Sequence, residues 1–297
     1  MCGIWALILE NERCEIKDFN KLIHNFNEIK NRGPDFSSFE TFNETSILGF
    51  HRLSIMDKSD KGLQPFYFET EERKMALICN GEIYNYKSLI NEYELDMKSK
   101  CDCEIILQLY YKVGINKLLN LLDGVFAFVI IDIKKKMNER KVIVARDKIG
   151  VRPLFYGWNE EENENEYYFC SEIKGLSRLV DKIEIFKPAT YMELNYNNGK
   201  LINKKIEEYY KYNYEMINLT EKQHMINIKE ILIQSVKKRL QSDRPLCCLL
   251  SGGLDSSLIS SITSRLLKET NNKLYTFSIG MQGSTDNVYA TKVAEYI

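Results

Sequence analysis

The fold is decided by one uninterrupted apolar run, Gly124-Val125-Phe126-Ala127-Phe128-Val129-Ile130-Ile131-Asp132. Both alternating faces of this run are apolar, whereas a strand with one face in water alternates apolar with polar residues. A strand of this kind lies in the middle of a sheet that is covered on both sides. The run therefore predicts a layered α+β architecture built around a central strand.

Shorter patterns extend this architecture in both directions. The chain opens with an apolar strand at 3–10, and a helix capped by Asp18 follows. Further strands are predicted at 46–55, 75–79, 141–146, 153–158, 167–170, 183–186 and 190–194. Helices are predicted at 86–93, 103–113 and 115–122. We expect Asn80-Gly81 to form a turn after the strand at 75–79, because Asn-Gly is a common turn dipeptide.

The organisation changes after residue 203. Residues 204–219 lose hydrophobic periodicity, which is typical of a linker. A long helix capped at Thr220 is followed by a strand at 246–250, a glycine-rich loop, a helix at 257–268 and a strand at 274–279. This βαβ order predicts a parallel sheet with a nucleotide site at the carboxyl end of its first strand. The predicted domains are thus 2–203 and 220–297.

The second predicted domain is short. About fifty residues follow the start of its first strand, whereas independent domains have a typical length near 100–150 residues. We therefore expect 220–297 to be the N-terminal part of a longer domain, and the chain to be a fragment of a longer protein.

The amino-acid composition limits the classes of binding partner that the chain is expected to have. A formal net charge of -1 gives no electrostatic signal for nucleic acid or for an anionic membrane, and no apolar run has the length of a membrane span. The eight cysteines show no repeated CxxC spacing, so they predict neither a disulfide framework nor a zinc site. A reducing cytoplasm is the expected setting. Oligomeric state stays open, and a homo-oligomer is compatible with the sequence.

The loop between the last two strands carries the clearest motif. It reads Ser251-Gly252-Gly253-Leu254-Asp255-Ser256-Ser257. Its glycines allow the backbone to approach an anion, while the helix end and the serines supply hydrogen-bond donors. It is not a Walker A loop, because no Gly-Lys-Ser/Thr follows. The alternative is an ordinary Ser/Gly turn with a helix cap. The loop resembles the pyrophosphate-binding loop of the ATP pyrophosphatases, which split ATP into AMP and pyrophosphate while adenylating an acid.

The N-terminus carries a second motif. If Met1 is removed, Cys2 holds a thiol nucleophile and an α-amine with a pKa of about 7.7–8.0, which acts as a base near neutral pH. Alone, Cys2 is better interpreted as a buried, inert cysteine. Further motifs follow in order: Arg32-Gly33-Pro34-Asp35, His51-Arg52-Leu53-Ser54-Ile55, Asn80-Gly81-Glu82-Ile83-Tyr84-Asn85, Asp102-Cys103-Glu104, Arg146-Asp147 and Ser171-Glu172-Ile173-Lys174. Together these motifs resemble the class II glutamine amidotransferase domain.

That resemblance implies the αββα sandwich of the N-terminal nucleophile hydrolases. With the pyrophosphatase-like loop behind it, the whole chain resembles the glutamine-hydrolysing asparagine synthetase family, whose substrates are glutamine, aspartate and ATP. The resemblance implies that Cys2 attacks the glutamine amide and that the Asn80 side chain and the Gly81 N–H form the oxyanion hole. The remaining glutamine-binding residues that it implies are Arg52, Leu53, Ser54, Ile55, Met56, Glu82 and Asp102.

For the second site, the resemblance implies ATP binding by the loop 251–257, with Leu249 and Ile279 on either side of the adenine. Judged locally, both residues instead look like buried strand positions. Asp255 is the residue expected to meet Mg²⁺, and capping of the helix is an equal alternative. We expect His24, His51 and His224 to be structural, because they lack metal-ligand spacing.

Three alternatives remain open from the residues. Another class II amidotransferase would share the Cys2 motif but lack the loop at 251–257. A β-lactam-synthetase-like enzyme would share both domains, and a non-catalytic regulator would keep the fold without turnover. The sequence departs from the family at Cys101, where a small hydroxyl residue usually precedes the aspartate.

Overall fold

A computed structural model describes residues 1–10, 18–159, 166–281 and 283–297. The chain divides into two compact units, Met1–Asn213 and Tyr214–Ile297. The acidic stretch 159–166, for which the sequence predicts a solvated hairpin tip, lies mostly outside the described residues.

The first unit contains two six-stranded antiparallel sheets. The strands of one sheet are β1 Gly3–Leu9, β2 Phe36–Asn43, β3 Ser46–Arg52, β8 Phe155–Trp158, β9 Glu166–Cys170 and β10 Lys182–Ile185. The strands of the other are β4 Phe66–Glu69, β5 Arg73–Ile83, β6 Gly124–Lys134, β7 Glu139–Arg146, β11 Thr190–Asn197 and β12 Lys200–Glu208. Their orders are β10-β8-β9-β1-β3-β2 and β12-β11-β7-β6-β5-β4.

Three helices cover the outer faces of these sheets: α1 Phe19–Glu28, α2 Tyr86–Tyr93 and α3 Ile105–Leu121. One core joins α1 to the first sheet through Phe26 and Trp5, a second lies between the sheets, and a third joins the second sheet to α2 and α3. The layer order is therefore helix, sheet, sheet, helix. In β6, Phe128 enters the third core and Val129 enters the second, so the prediction of a strand covered on both sides is confirmed.

Local helix signals are also confirmed. The Asp18 side chain accepts a hydrogen bond from the Lys21 N–H and caps α1. In α3, Gly114 has φ 74° and ψ 171° and interrupts the helix at the predicted position. Because αL and extended positive-φ conformations favour glycine, this residue separates two helical segments.

The predicted turn at Asn80-Gly81 is wrong. Strand β5 continues through both residues to Ile83, with Asn80 opposite Ala127 and Gly81 opposite Phe126 in β6. Glycine stands at position 81 for a packing reason: a Cβ there would lie 2.8 Å from the Val125 carbonyl oxygen and 2.9 Å from the Phe126 Cβ. The residue allows close approach of β6, and does not reverse the chain.

The sequence also misses strand β12. The linker was expected from residue 204, whereas β12 pairs with β11 as far as Glu208, opposite Thr190. This edge strand is largely exposed and rich in lysine, a composition that protects sheet edges from aggregation and hides the apolar alternation of a strand. The domain boundaries 2–203 and 220–297 stay a prediction.

The second unit contains the predicted strand, loop and helix order. Its elements are α4 Glu221–Lys238, β13 Cys247–Leu249, α5 Leu254–Lys268, β14 Tyr275–Phe277 and α6 Thr285–Tyr296. Thr220 and Gln223 form a capping box at the start of α4. Strands β13 and β14 pair in parallel, with Cys248 opposite Thr276. Among the described helices, none combines the length and apolar character needed to cross a bilayer.

Candidate active site

One pocket in the first unit collects most of the predicted glutamine-site residues. The residues that line it include Cys2, Arg52, Leu53, Ile55, Met56, Asn80, Gly81, Glu82 and Asp102. Ser54 is buried nearby but does not line the pocket, and its backbone N–H donates to Asp35 Oδ2 over 2.7 Å. Residues that lie up to one hundred positions apart are thus brought together where β1 begins and where β3 and β5 end.

The thiol of Cys2 lies at the start of β1, beside the segment after β3. Its Sγ is 3.4 Å from the Leu53 N–H, which donates to it, and 3.5 Å from the Leu53 carbonyl oxygen. Burial raises the pKa of the Cys2 thiol, and the Leu53 contact and the nearby N-terminal amine oppose that rise. The thiol therefore needs a base to become a nucleophile.

The N-terminal α-amine lies close to this thiol. Met1 lines the pocket, and burial lowers the pKa of its amine, with Arg32 and Arg152 adding to the decrease. A lowered pKa increases the fraction of neutral amine at neutral pH, which is the form that accepts a proton.

The start of β1 is held by the side chains of Arg32 and Ser171. Arg32 donates from Nε to the Cys2 carbonyl oxygen over 2.9 Å, and its Nη1 forms a 2.9 Å ion pair with Glu172. Ser171 accepts the Ile4 N–H at its Oγ over 3.0 Å. These contacts fix the direction in which residue 2 leaves β1.

Asn80 supplies a buried donor to the pocket. The residue is 1% exposed, and its Nδ2 has no hydrogen-bond partner among the described residues. A buried amide donor without a partner is costly, at about 1–3 kcal/mol. An unsatisfied donor of this kind needs an explanation. Binding of a ligand oxygen in the pocket would satisfy it.

Alternate backbone N–H groups of β5 lie on one edge of the strand. The Cys79 N–H donates to Gln64 Oε1 over 2.6 Å, and the Ile83 N–H donates to Asp102 Oδ2 over 2.6 Å. Alternate residues of an antiparallel strand direct their N–H groups to the same edge. The Gly81 N–H therefore lies between these two satisfied donors, on the edge that borders the pocket.

Asp102 and Arg52 provide the charged groups of the pocket. Burial raises the pKa of the Asp102 carboxyl to about 6, the Ile83 N–H lowers it, and the neighbouring Glu82 raises it further. Arg52 is 5% exposed, and it donates to the carbonyl oxygens of Ser59, over 3.0 Å, and of Asp57. These two bonds hold the position of its guanidinium, which has five N–H donors in all and can also donate to a ligand.

Sequence reasoning missed Arg152 and Gln64. Arg152 Nη2 forms a 2.7 Å ion pair with Glu82, and its buried Nε has no partner among the described residues. Gln64 holds both backbone groups of Cys79, with Nε2 3.1 Å from its carbonyl oxygen. The only sequence signal near Arg152 is the Arg-Pro dipeptide after Gly150, which does not indicate the ion pair. No local signal indicates the role of Gln64.

The loop 251–257 of the second unit starts helix α5 at Leu254. Gly252 has φ 82°, and a Cβ there would lie 2.6 Å from the Ala290 backbone nitrogen, so only glycine fits. Gly253 caps α5 without a side-chain acceptor, which leaves the first N–H groups of the helix for a ligand. The hydroxyls of Ser251 and Ser256 lie 2.9 Å apart.

Leu249 and Ile279 do not behave as ordinary buried strand residues. Leu249 is 81% exposed and Ile279 is 99% exposed, so the local interpretation of both as core positions is wrong. Asp255 lies exposed in the first turn of α5.

Two family models match this chain. The sequence model of the glutamine amidotransferase domain matches residues 1–226, which is most of the chain. This chain belongs to the glutamine amidotransferase domain family. A second family model, that of asparagine synthase, matches residues 227–297. The two resemblances stated from the motifs are thereby confirmed, in the same order along the chain.

Known relatives of this amidotransferase-family chain are named as asparagine synthetases. A probable glutamine-hydrolysing asparagine synthetase of Acanthamoeba polyphaga mimivirus is 39% identical over all of this chain and 55% of its own length. The glutamine-hydrolysing asparagine synthetase of Gallus gallus is 36% identical over all of this chain and 54% of its own length. The chain thus spans about half the length of these curated relatives.

One solved structure, a glutamine aminotransferase class-II domain protein from Silicibacter pomeroyi, covers 71% of this chain and 99% of its own at 7% identity and a TM-score of 0.34. That likeness is too low to support an argument about this amidotransferase-family chain.

Proposed function

We propose that the first unit hydrolyses glutamine to glutamate and ammonia at Cys2. The observation that carries the proposal is the buried Asn80 Nδ2, which has no partner within the described part of the chain and belongs to the pocket that also contains Cys2. A donor held without a partner beside a nucleophile stabilises the oxyanion that forms when that nucleophile attacks a carbonyl.

The reaction needs Met1 to be removed, so that the base and the nucleophile belong to one residue. The α-amine of residue 2 takes the thiol proton as Sγ bonds to the glutamine amide carbon. The C–N bond then breaks while the proton passes to the leaving nitrogen. Ammonia departs, and a glutamyl thioester remains on Cys2. Water attacks the thioester, glutamate leaves, and the thiol is restored. Asn80 and the Gly81 N–H bind the developing oxyanion in both steps.

The pocket is lined by charged side chains of both signs, which suit the two charged groups of an amino acid. The Arg52 guanidinium is a planar, multiple donor for the α-carboxylate. The Asp102 and Glu82 carboxylates would bind the α-ammonium, and Leu53, Ile55 and Met56 line the same pocket. Ser54 is held beside the pocket by the hydrogen bond from its N–H to Asp35.

We further propose that this chain provides the glutaminase and the first part of the synthetase of an asparagine synthetase. In that reaction ATP adenylates the aspartate side chain, and ammonia displaces AMP to give asparagine. Gly252, Gly253 and the start of α5 would receive the pyrophosphate part of ATP, with Ser251, Leu254, Ser256 and Ser257 around it. Leu249 and Ile279 are exposed and so leave apolar side chains free to contact adenine, in keeping with the mostly apolar lining of nucleotide and other small-molecule sites.

Mg²⁺ fits this site through Asp255. Mg²⁺ in nucleotide sites is usually held by one or two carboxylates and by phosphate oxygens, and Asp255 offers one exposed carboxylate beside the helix end. The ion would neutralise phosphate charge. We place the protein in the cytoplasm, where the seven described cysteines, all free thiols, would remain reduced.

The glutaminase proposal is tested by Cys2→Ala. The variant should release no glutamate from glutamine, while its circular dichroism and melting temperature match those of the parent chain. Mass spectrometry of the active protein should find Cys2 as the first residue, and a glutamyl thioester should be trapped after acid quench. Glutamate release by Cys2→Ala at the parent rate would exclude this mechanism.

The nucleotide proposal is tested separately, by ATP binding to the chain in the presence of Mg²⁺. Gly252→Ala should weaken binding, because its Cβ meets the backbone of α6. Glutamate release should be unchanged in that variant. Equal ATP affinity in parent and variant would reject the loop as the binding site.

A further inference from the structure

A group of thiols lies behind the proposed glutamine pocket. The Sγ atoms of Cys101 and Cys103 and a carboxylate oxygen of Asp102 all lie within 4.8 Å of one another, and all three residues are buried. The Cys79 thiol is in hydrogen-bonding contact with that of Cys103. Glutamine hydrolysis as proposed uses none of these thiols, and Cys101 is the position where the sequence departs from the family.

These atoms are accessible through the pocket. Cys79, Cys101, Asp102 and Cys103 line the same cavity as Cys2, and this cavity provides the route by which an ion would reach them. Soft thiolate ligands select Zn²⁺ and Cu⁺ over Mg²⁺ and Ca²⁺, and a mixed sulfur and carboxylate set suits Zn²⁺.

We propose that Cys101, Asp102 and Cys103 form a binding site for Zn²⁺, a thiophilic divalent cation. Zn–S bonds of about 2.3 Å and Zn–O bonds of about 2.0–2.2 Å place the ligand atoms of a tetrahedral site roughly 3.3–3.8 Å apart. The three atoms therefore need to move by about 1 Å or less. Cys79 is the candidate fourth ligand.

The two oxygens of Asp102 have different environments. Oδ2 accepts the Ile83 N–H over 2.6 Å, and Oδ1 accepts a 3.8 Å contact from the Cys101 thiol. Oδ1 thus faces the thiols, while the bond at Oδ2 orients the carboxylate, as the outer hydrogen bonds of metal ligands do. The Cys103 thiol donates to the Gly81 carbonyl oxygen over 3.4 Å, so it carries a proton. Zn²⁺ replaces the thiol protons of Cys101 and Cys103, and two protons leave for each ion bound.

Zn²⁺ at this site would inhibit glutamine binding. The same Asp102 carboxylate is the proposed partner of the substrate α-ammonium, and the ion would both occupy its oxygen and repel that ammonium. Loss of the Cys103 thiol proton would also remove the donor to Gly81, next to the proposed oxyanion hole. This consequence rests on the proposed function, whereas metal binding itself does not.

Binding is measured on Cys2→Ala, which removes the thiol of the nucleophile from the pocket. Titration calorimetry with Zn²⁺ in two buffers should give one ion and two released protons per chain. Cd²⁺ should give a thiolate-to-metal charge-transfer absorption. Cys101→Ser should weaken Zn²⁺ binding by more than about tenfold, because even outer-shell partners of metal ligands are worth 10- to 100-fold. The matched control is Cys247→Ser, an exposed cysteine of the other unit, which should bind as tightly as the parent.

Inhibition is measured on the active chain as the rise in KM for glutamine with added Zn²⁺, and it should be reversed by a chelator. Cys101→Ser, which restores a small hydroxyl residue, should hydrolyse glutamine with little inhibition. Two results would overturn the metal site. One is the absence of Zn²⁺ binding to Cys2→Ala, and the other is an equal Zn²⁺ affinity of Cys2→Ala with and without Cys101→Ser. Both results would leave the glutaminase proposal intact. Zn²⁺ binding to a chain that never releases glutamate would support the site and count against the proposed function.

Discussion

Arg32 donates its Nε–H to the carbonyl oxygen of Cys2 over 2.9 Å. This bond joins the last residue of the short 3-10 helix Lys30–Arg32 to the proposed nucleophile, and Arg32 also forms an ion pair with Glu172. Arg32 therefore contacts the proposed nucleophile through its backbone and has no contact with the thiol itself among those described. The guanidinium orients the backbone from which the thiol of Cys2 projects.

Arg32→Lys should therefore reduce glutaminase kcat by about 10- to 100-fold with a smaller change in KM, because a misplacement near 1 Å costs up to about a hundredfold in rate. Lysine keeps the charge but cannot reach the carbonyl oxygen and Glu172 with a rigid fork. Steady-state glutamate release measures the effect. Lys30→Gln, an exposed neighbour, is the control, and equal kcat in Arg32→Lys and parent would remove the positioning role.

Asn80→Ala separates catalysis from stability. The oxyanion-hole role predicts a decrease in kcat of about 10²- to 10³-fold. Because Asn80 Nδ2 makes no hydrogen bond among the described residues, we expect the melting temperature not to fall. A purely structural asparagine would show the reverse pattern, with a lower melting temperature and a kcat close to that of the parent.

Signals that depend on neighbours in the sequence predicted the fold well. Asp18 caps α1 through the N–H three residues later, and the two apolar faces of β6 are visible in its own letters. Contacts between residues that are distant in the sequence were not predicted. Arg152 pairs with Glu82, which lies 70 positions away in the sequence. The residues next to Arg152 do not predict that contact.

The candidate site shows the same division. Motif resemblance found Cys2, Asn80 and Asp102, which line one pocket. It did not find the thiol contact between Cys79 and Cys103, because that contact arises only when β5 and the segment before α3 pack together. The turn expected at Asn80-Gly81 failed for a related reason: pairing with β6 overrides the local preference of the dipeptide.

Gly81 provides a test of that correction. In β5, Gly81→Ala should lower the free energy of unfolding by about 1–3 kcal/mol, because the new Cβ meets Val125 and Phe126. Gly81→Asn should cost at least as much. In a turn with positive φ the order would be reversed, since asparagine tolerates that conformation better than alanine. Urea denaturation of the two variants decides between these orders.

His51 is a buried ring with a defined tautomer. Its Nε2 lies 3.0 Å from the Phe26 carbonyl oxygen and its Nδ1 lies 2.7 Å from Ser37 Oγ. A carbonyl oxygen only accepts, so Nε2 donates to it and Nδ1 of the neutral ring accepts from the serine hydroxyl. The ring also stacks on Phe26 at 3.9 Å. Burial lowers the pKa of His51, the Phe26 bond partly offsets that effect, and Lys30 adds to it.

This lowered pKa gives the folding stability a predictable pH dependence. Below about pH 6.5, the ordinary histidine pKa, the unfolded chain binds a proton at His51 that the folded chain does not, so stability falls as the pH decreases. The slope from one such group is at most about 1.4 kcal/mol per pH unit, and it levels off below the folded pKa. Urea denaturation of the parent and of His51→Gln between pH 7.5 and pH 5 isolates this contribution as the difference between the two curves. The variant should be less stable at pH 7.5, and the gap should narrow towards pH 5. A gap that stays constant, or that widens as the pH falls, would contradict a neutral His51 in the folded chain.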